Sequence, residues 1–157
     1  MIIKGIRDED FCQYKETSFF IAFPTCTFKC EKESGKLCCQ NSKLYKDPVI
    51  DVSVDSLVNR YLQNPITSAI VFGGLEPFDS FKDLFDLVEK FRERTSDTIV
   101  IYTGYYKNEI EGYISALQKF KNIVVKFGRF IPNVDPVFDT VLGVQLASSN
   151  QYAEKIS

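Results

Sequence analysis

The chain has 157 residues, 45% of them hydrophobic and 14% aromatic, with a formal net charge of −2. That composition excludes a disordered chain, and the missing basic excess excludes an electrostatic footprint for nucleic acid. The first ten residues, MIIKGIRDED, carry charges where a secretory leader needs an apolar core, and no apolar run reaches the length of a membrane span. The expectation is one domain over residues 1–157, cytoplasmic and without a membrane or nucleic-acid partner, whose thiols stay reduced.

Residues 1–16 are polar and weakly patterned and read as an arm or a sheet edge. Thr17–Phe23 (TSFFIAF) is short, aromatic and apolar, and predicts a buried strand. A polar loop follows, over residues 24–41. Val54, Leu57, Val58, Tyr61 and Leu62 then fall at helical spacing, with Ser53 as N-cap and Pro65 as terminator. Ser68–Phe72 predicts a second strand. Ser80 and Asp83 resemble a capping box, opening a helix with the stripe Phe81, Leu84, Phe85, Val88 and Phe91. Thr98–Tyr102 is a third strand, Ile110–Phe120 a third helix, and Asn122–Phe127 a fourth strand. A short strand near Val141–Leu146 and a helical turn near Tyr152–Ile156 complete the pattern.

Alternating strands and helices predict an α/β fold with a mainly parallel sheet. The strands lack polar alternation, which leads to the expectation of helices on both faces. In such a sheet every strand-to-helix loop leaves from the carboxyl edge, where ligands bind. Four loops therefore share that edge: the cysteine loop, Gly73-Gly74-Leu75-Glu76-Pro77, Thr103-Gly104-Tyr105, and Gly128-Arg129.

Four of the five cysteines lie in FPTCTFKCEKESGKLCCQN, residues 23–41. Packed thiols are a poor account of cysteines set among Lys29, Glu31, Lys32, Glu33 and Lys36. Disulfides suit neither the odd count nor a reducing compartment. With no histidine in the chain, a zinc site would need Cys26, Cys30, Cys38 and Cys39 around one tetrahedral ion, two of them adjacent. Three thiolates on a four-iron cluster, with one iron open, is the other metal reading. Cys12 stands alone and reads as a non-ligand.

Cys26-x-x-x-Cys30 after the first strand, with a third cysteine downstream, resembles the radical S-adenosylmethionine (SAM) enzymes, whose hallmark is Cys-x3-Cys-x2-Cys. Gly73-Gly74-Leu75-Glu76-Pro77 resembles their Gly-Gly-Glu-Pro turn, with Leu75 as an extra residue. More narrowly, the chain resembles the activating proteins of anaerobic (class III) ribonucleotide reductase. Cys39-Gln40-Asn41 is similar to their Cys-Tyr-Asn, Tyr102-Thr103-Gly104-Tyr105 to their Tyr-Thr-Gly-Tyr, and Lys126–Phe130 to their Asp-Gly-Arg-Phe region. Ser148-Ser149-Asn150-Gln151 is similar to their Gly-Ser-x-Asn-Gln. The likeness runs from about Ser18 to Gln151. It departs from the family in the gap between Cys30 and the third ligand, which is eight residues if that ligand is Cys39 and seven if it is Cys38, against two in the family. The trailing Asn favours Cys39.

The resemblance implies a partial (β/α) barrel and a [4Fe–4S] cluster held by Cys26, Cys30 and Cys39. It also implies SAM at Gly73, Gly74, Glu76, Tyr102 and Asn150. Reductive cleavage of SAM would then place a radical on a glycine of the partner, an anaerobic ribonucleotide reductase. An electron donor such as flavodoxin or ferredoxin is implied as well. That chemistry asks for no general acid or base, so no catalytic side chain is expected. The residues also allow other roles: a bare turn for Gly73-Gly74, core or rim aromatics for Tyr102 and Tyr105, a helix cap for Asn150, and for Arg129 either a surface cation or a partner for a carboxylate of SAM or of the partner protein. The alternatives in function are another small radical SAM enzyme, acting on a different glycyl-radical enzyme or a small molecule, and a non-catalytic zinc-binding module.

Overall fold

The structure is a computed structural model that describes residues 1–157. Its N-terminal residues form β1 (Ile2–Ile3) and β2 (Gly5–Asp10), then β3 (Ser18–Phe23) follows. The cysteine loop holds two short helices, α1 (Lys29–Ser34) and α2 (Ser42–Lys46). Next come β4 (Ile50–Asp51), α3 (Val54–Gln63), β5 (Ala69–Gly74), a 3-10 turn (Pro77–Ser80) and α4 (Phe81–Arg92). The chain continues with β6 (Thr98–Tyr102), a 3-10 turn (Lys107–Glu109), α5 (Glu111–Leu117), β7 (Ile123–Phe127), β8 (Val137–Asp139), β9 (Val144–Leu146) and β10 (Tyr152–Lys155).

Six strands make one sheet in the order β10-β7-β6-β5-β3-β2. The four central strands are parallel, with Phe20 opposite Val71, Val71 opposite Val100 and Val100 opposite Val124. Both outer strands run antiparallel to their neighbours. The end strands β10 and β2 are not paired with each other, so the sheet is not a closed barrel. No helix is long and apolar enough to cross a membrane.

Side-chain alternation divides the core in two. Phe19, Ile21, Phe23, Ile70, Phe72, Ile99, Ile101 and Phe127 face the helices and pack with Leu57, Leu84, Val88, Phe91 and Ile114. Ala69, Val71, Val100 and Val124 face the other way, against Tyr14, Leu142 and Leu146. The strands are apolar on both faces, as expected, but helices cover only one. The β8–β9 hairpin and Tyr14 cover the base of the second face, and the rest of it is open.

Most helical expectations hold. Ser53 caps α3, its hydroxyl accepting from Ser56 N at 3.1 Å, and α3 stops at Gln63, two residues before Pro65. Residues 1–16 supply the predicted edge, as β2. Three expectations are corrected. The Ser80–Asp83 capping box does not form; Ser80 makes no side-chain cap, and its hydroxyl bonds Thr25 instead. Tyr152–Ile156 is no helical turn but strand β10, because pairing with β7 satisfies backbone groups that an isolated turn would leave to water. Asn150 therefore caps no helix. The sequence reading also lacked β8, whose Phe138 is 63% exposed and gives no core signal.

Phe72 is fully buried, its ring 5.9 Å from that of Phe23 and 6.0 Å from that of Phe91. Phe72→Ala should lower the unfolding free energy by about 3–5 kcal/mol, whereas Phe138→Ala should stay within about 0.5 kcal/mol of the parent. Urea titration of both variants checks the contrast.

Candidate iron–sulfur site

The carboxyl ends of the four parallel strands open onto one cavity of about 600 Å³, well within the range of small-molecule sites. Cys26, Cys30 and Cys39 line it, together with Gly73, Gly74, Glu76 and Tyr102. Cys12 reaches the same wall from the loop after β2. Cys38 does not; its sulfur lies 3.3 Å from the Ser34 hydroxyl and 3.7 Å from the Cys30 carbonyl oxygen. All five cysteines are free thiols.

The Phe28 N–H donates to Cys26 Sγ at 3.2 Å. Such N–H···S bonds stabilise a thiolate and tune the cluster that it holds. Phe28 adopts a left-handed conformation, φ 53°, as the chain turns between Cys26 and Cys30. Burial nevertheless dominates. It pushes Cys26 up to about 12, with Glu76 and Asp79 adding to the rise, and Cys30 up to about 11. Burial raises Cys39 as well. Without a cation these groups are thiols at neutral pH, and a bound metal must displace their protons.

No three Cys, Asp or Glu side chains gather closely enough to hold a single ion. A zinc ion needs its four sulfurs about 2.3 Å away around one point. A cuboidal cluster spreads its ligands further apart. The thiols of Cys26, Cys30 and Cys39, set around one cavity, are a donor set of the kind that larger group takes.

The Gly-Gly turn has a steric basis. At Gly74, φ is 81°, and a Cβ would lie 2.8 Å from Ala22 Cβ. At Gly73 a Cβ would press on the Phe20 ring at 3.2 Å, so only the absence of a side chain keeps this wall open. Asn41 Nδ2 donates to Gly74 O at 2.6 Å, linking the end of the cysteine loop to the turn.

Glu76 is buried and accepts from Phe78 N at 3.2 Å, Thr103 Oγ1 at 2.7 Å and Gly104 N at 2.8 Å. Burial pushes its carboxyl up to about 7 against the pull of these donors. Tyr102 puts its ring on the cavity wall and donates its hydroxyl to Gln13 O. Asn150 lies off the wall. Its Nδ2 donates to Arg129 O at 2.8 Å and to the Tyr106 hydroxyl at 3.2 Å, and its neighbour Gln151 lines the cavity instead.

Arg129 is not a surface cation. It is 3% exposed and bound by both carboxylate oxygens of Glu109, one at 2.8 Å, with Glu33 Oε1 3.1 Å from Nε. Lys29 reaches Glu109 as well, at 3.2 Å, and lies over the Tyr105 ring. This ion cluster fastens α1, which carries Cys30, to the sheet edge. The sequence reading did not single out Glu109 or Lys126. Glu109 is twenty residues from its partner, and Lys126 sits in a strand that otherwise reads as apolar.

Together these features define an iron–sulfur protein. Over residues 16–141 the sequence matches the family described as a 4Fe-4S single cluster domain, and the chain belongs to that family. No curated protein and no solved structure matches it.

Two tests follow from this geometry. After anaerobic reconstitution, Cys26→Ala, Cys30→Ala and Cys39→Ala should each lose most of the bound iron and the visible iron–sulfur absorbance. Cys12→Ala and Cys38→Ala should keep both, as measured by iron assay and spectrum.

The second test concerns Glu109. Its hydrogen bonds from Arg129, then Tyr106 N–H and Lys29, hold its carboxyl down to about 2. Its folded value lies below the ordinary 4.5, so its stabilising contribution is present above that pH and is lost as pH falls towards about 2. Glu109→Gln should lower stability by about 2–4 kcal/mol at pH 7, because it strips the main partner from a buried guanidinium. The deficit should shrink as the parent is acidified through that window, which urea unfolding at several pH values measures.

Proposed function

We propose that this chain is a radical SAM activase of the type that serves an anaerobic ribonucleotide reductase. One observation carries the proposal: three thiols and the Gly73-Gly74-Leu75-Glu76-Pro77 turn face a single cavity at the carboxyl edge of a parallel sheet. The open, mostly parallel sheet with its uncovered upper inner face supports a partial-barrel reading. The motif order Cys26…Cys30…Cys39, Gly73-Gly74, Tyr102-Thr103-Gly104-Tyr105 and Ser149-Asn150-Gln151 supports the family likeness.

Held by Cys26, Cys30 and Cys39, a [4Fe–4S] cluster would supply a coordination position for SAM and one electron for its reductive cleavage at the S–C5′ bond to methionine and a 5′-deoxyadenosyl radical. The chain's own residues bind and orient. Cys26, Cys30 and Cys39 anchor the cluster against the cavity wall. Gly73 and Gly74 offer bare backbone to the methionine end of SAM. Glu76 already accepts three hydrogen bonds from the chain, so its first task is to hold the turn, while Oε2, with one donor, has a lone pair left that would accept from an amino group. Tyr102 closes the inner wall. A glycine of the partner reductase would give up the hydrogen atom that quenches the 5′-deoxyadenosyl radical, and flavodoxin or ferredoxin would supply the electron.

The test is an anaerobic assay of 5′-deoxyadenosine from the reconstituted, reduced protein with SAM. The expected outcome is product in the parent and none in Cys26→Ala. A cluster without product, in the presence of the reductase, would overturn the activase reading while leaving the iron–sulfur assignment in place. Product without a glycyl radical signal on the reductase would point to another radical SAM substrate.

A further inference from the structure

Cys26 sits in a segment with no regular structure of its own, between the end of β3 at Phe23 and the start of α1 at Lys29. Its flanks are held by the turn after β5. Thr25 O accepts from Glu76 N at 2.7 Å. The Thr25 and Ser80 hydroxyls share a hydrogen bond of 2.7 Å. Thr27 N donates to Asp79 Oδ2 at 2.6 Å, and Asp79 Oδ1 accepts from the Tyr105 hydroxyl at 2.6 Å. One carboxylate thus joins three loops of the sheet edge: the cysteine loop, the turn after β5 and the loop after β6. It engages the residue directly after Cys26.

We propose that Asp79 is a positioning residue for Cys26: its carboxylate fixes the backbone on which the ligand sits, and its negative charge lowers the reduction potential of the cluster held there. The proposal rests on Cys26 being a ligand, as read above. The physical basis is twofold. Groups that orient a ligand from outside change metal affinity by roughly 10–100-fold when removed. A fixed negative charge beside a cluster disfavours the added electron, since net charge and hydrogen bonding set these potentials. The Asp79 carboxylate is held next to Cys26 by its hydrogen bond from the Thr27 N–H at 2.6 Å.

Asp79→Asn and Asp79→Ala separate the two contributions, with Asp86→Asn on the exposed face of α4 as a control for net charge alone. In Asp79→Asn the amide can accept from Thr27 N–H and donate to the Tyr105 oxygen, so the segment stays in place. The full chain is reconstituted anaerobically, iron release to a chelator is timed, and the midpoint potential is measured by EPR-monitored titration. Asp79→Ala should release iron roughly tenfold faster than the parent. Asp79→Asn should hold its iron but show a more positive potential than both the parent and Asp86→Asn. Parental release in Asp79→Ala, or a parental potential in Asp79→Asn, overturns the proposal. If Asp79→Ala fails to fold, the potential of Asp79→Asn decides alone. Cys26→Ala, run in parallel, separates this claim from its premise: a full complement of iron there overturns the ligand assignment whatever the Asp79 variants do.

Discussion

The upper edge of the sheet depends on a carboxylate kept out of water. Glu76 is buried, yet three donors point at it, two of them from the loop after β6 and one from its own turn. Hydrogen bonds to a charged acceptor contribute about 1.5–3 kcal/mol each, and leaving such a group unpaired would be strongly unfavourable. The turn after β5 and the loop after β6 are therefore fastened to each other. Lys126 extends the arrangement to β7. Its buried ammonium donates to Gly128 O at 2.9 Å and to Thr103 O at 3.5 Å, and burial pulls it down to about 8 while Glu76 works in the opposite direction. Three of the four strand ends are thus joined by polar contacts inside the fold.

The cysteine loop is the fourth, and it is attached by other means. On one side Asp79, Ser80 and Glu76 N hold residues 25–27. On the other, Arg129 and Glu109 hold α1 through Glu33 and Lys29. Asn41 closes the loop onto Gly74. The eight residues between Cys30 and Cys39 are therefore not a slack insertion. Lengthening a loop adds little closure entropy, and here the added length supplies Glu33, an anchor that a two-residue spacing has no room for. The cavity wall is built from loops tied at both ends.

How much of this could be read in advance varies with where the information lies. Strand Thr98–Tyr102 and the α3 stripe were legible because burial imposes a period on a local stretch, and Ser53 and Pro65 mark the helix ends by their own chemistry. The shared edge was legible too, because a parallel sheet fixes the side from which every loop leaves. Tyr152–Lys155 was not, because YAEK carries no strand signal and becomes a strand only by pairing with β7. Arg129 looked like a surface residue for a related reason. Its burial is made tolerable by Glu109 and Glu33, and nothing local to the Gly-Arg pair announces them. Asn150 was placed at the site by likeness, while its amide is engaged with Arg129 O and Tyr106. Motif likeness brings a residue near the right loop, and its hydrogen bonds then decide which way it faces.

The site's electrostatics place the cysteines in tension with their surroundings. Cys26 lies in the field of two carboxylates, Glu76 and Asp79, and burial already favours its protonated form. Such a thiol is a poor ligand for a weakly held cation and a poor nucleophile. It becomes a thiolate only when a strongly charged centre takes the place of the proton. The same two carboxylates do structural work that the fold needs, one holding the loops together and the other holding the Cys26 segment in place. Truncating either side chain would therefore loosen the wall as well as remove a charge. The backbone around Cys26 and the charge beside it are thus supplied by the same two residues.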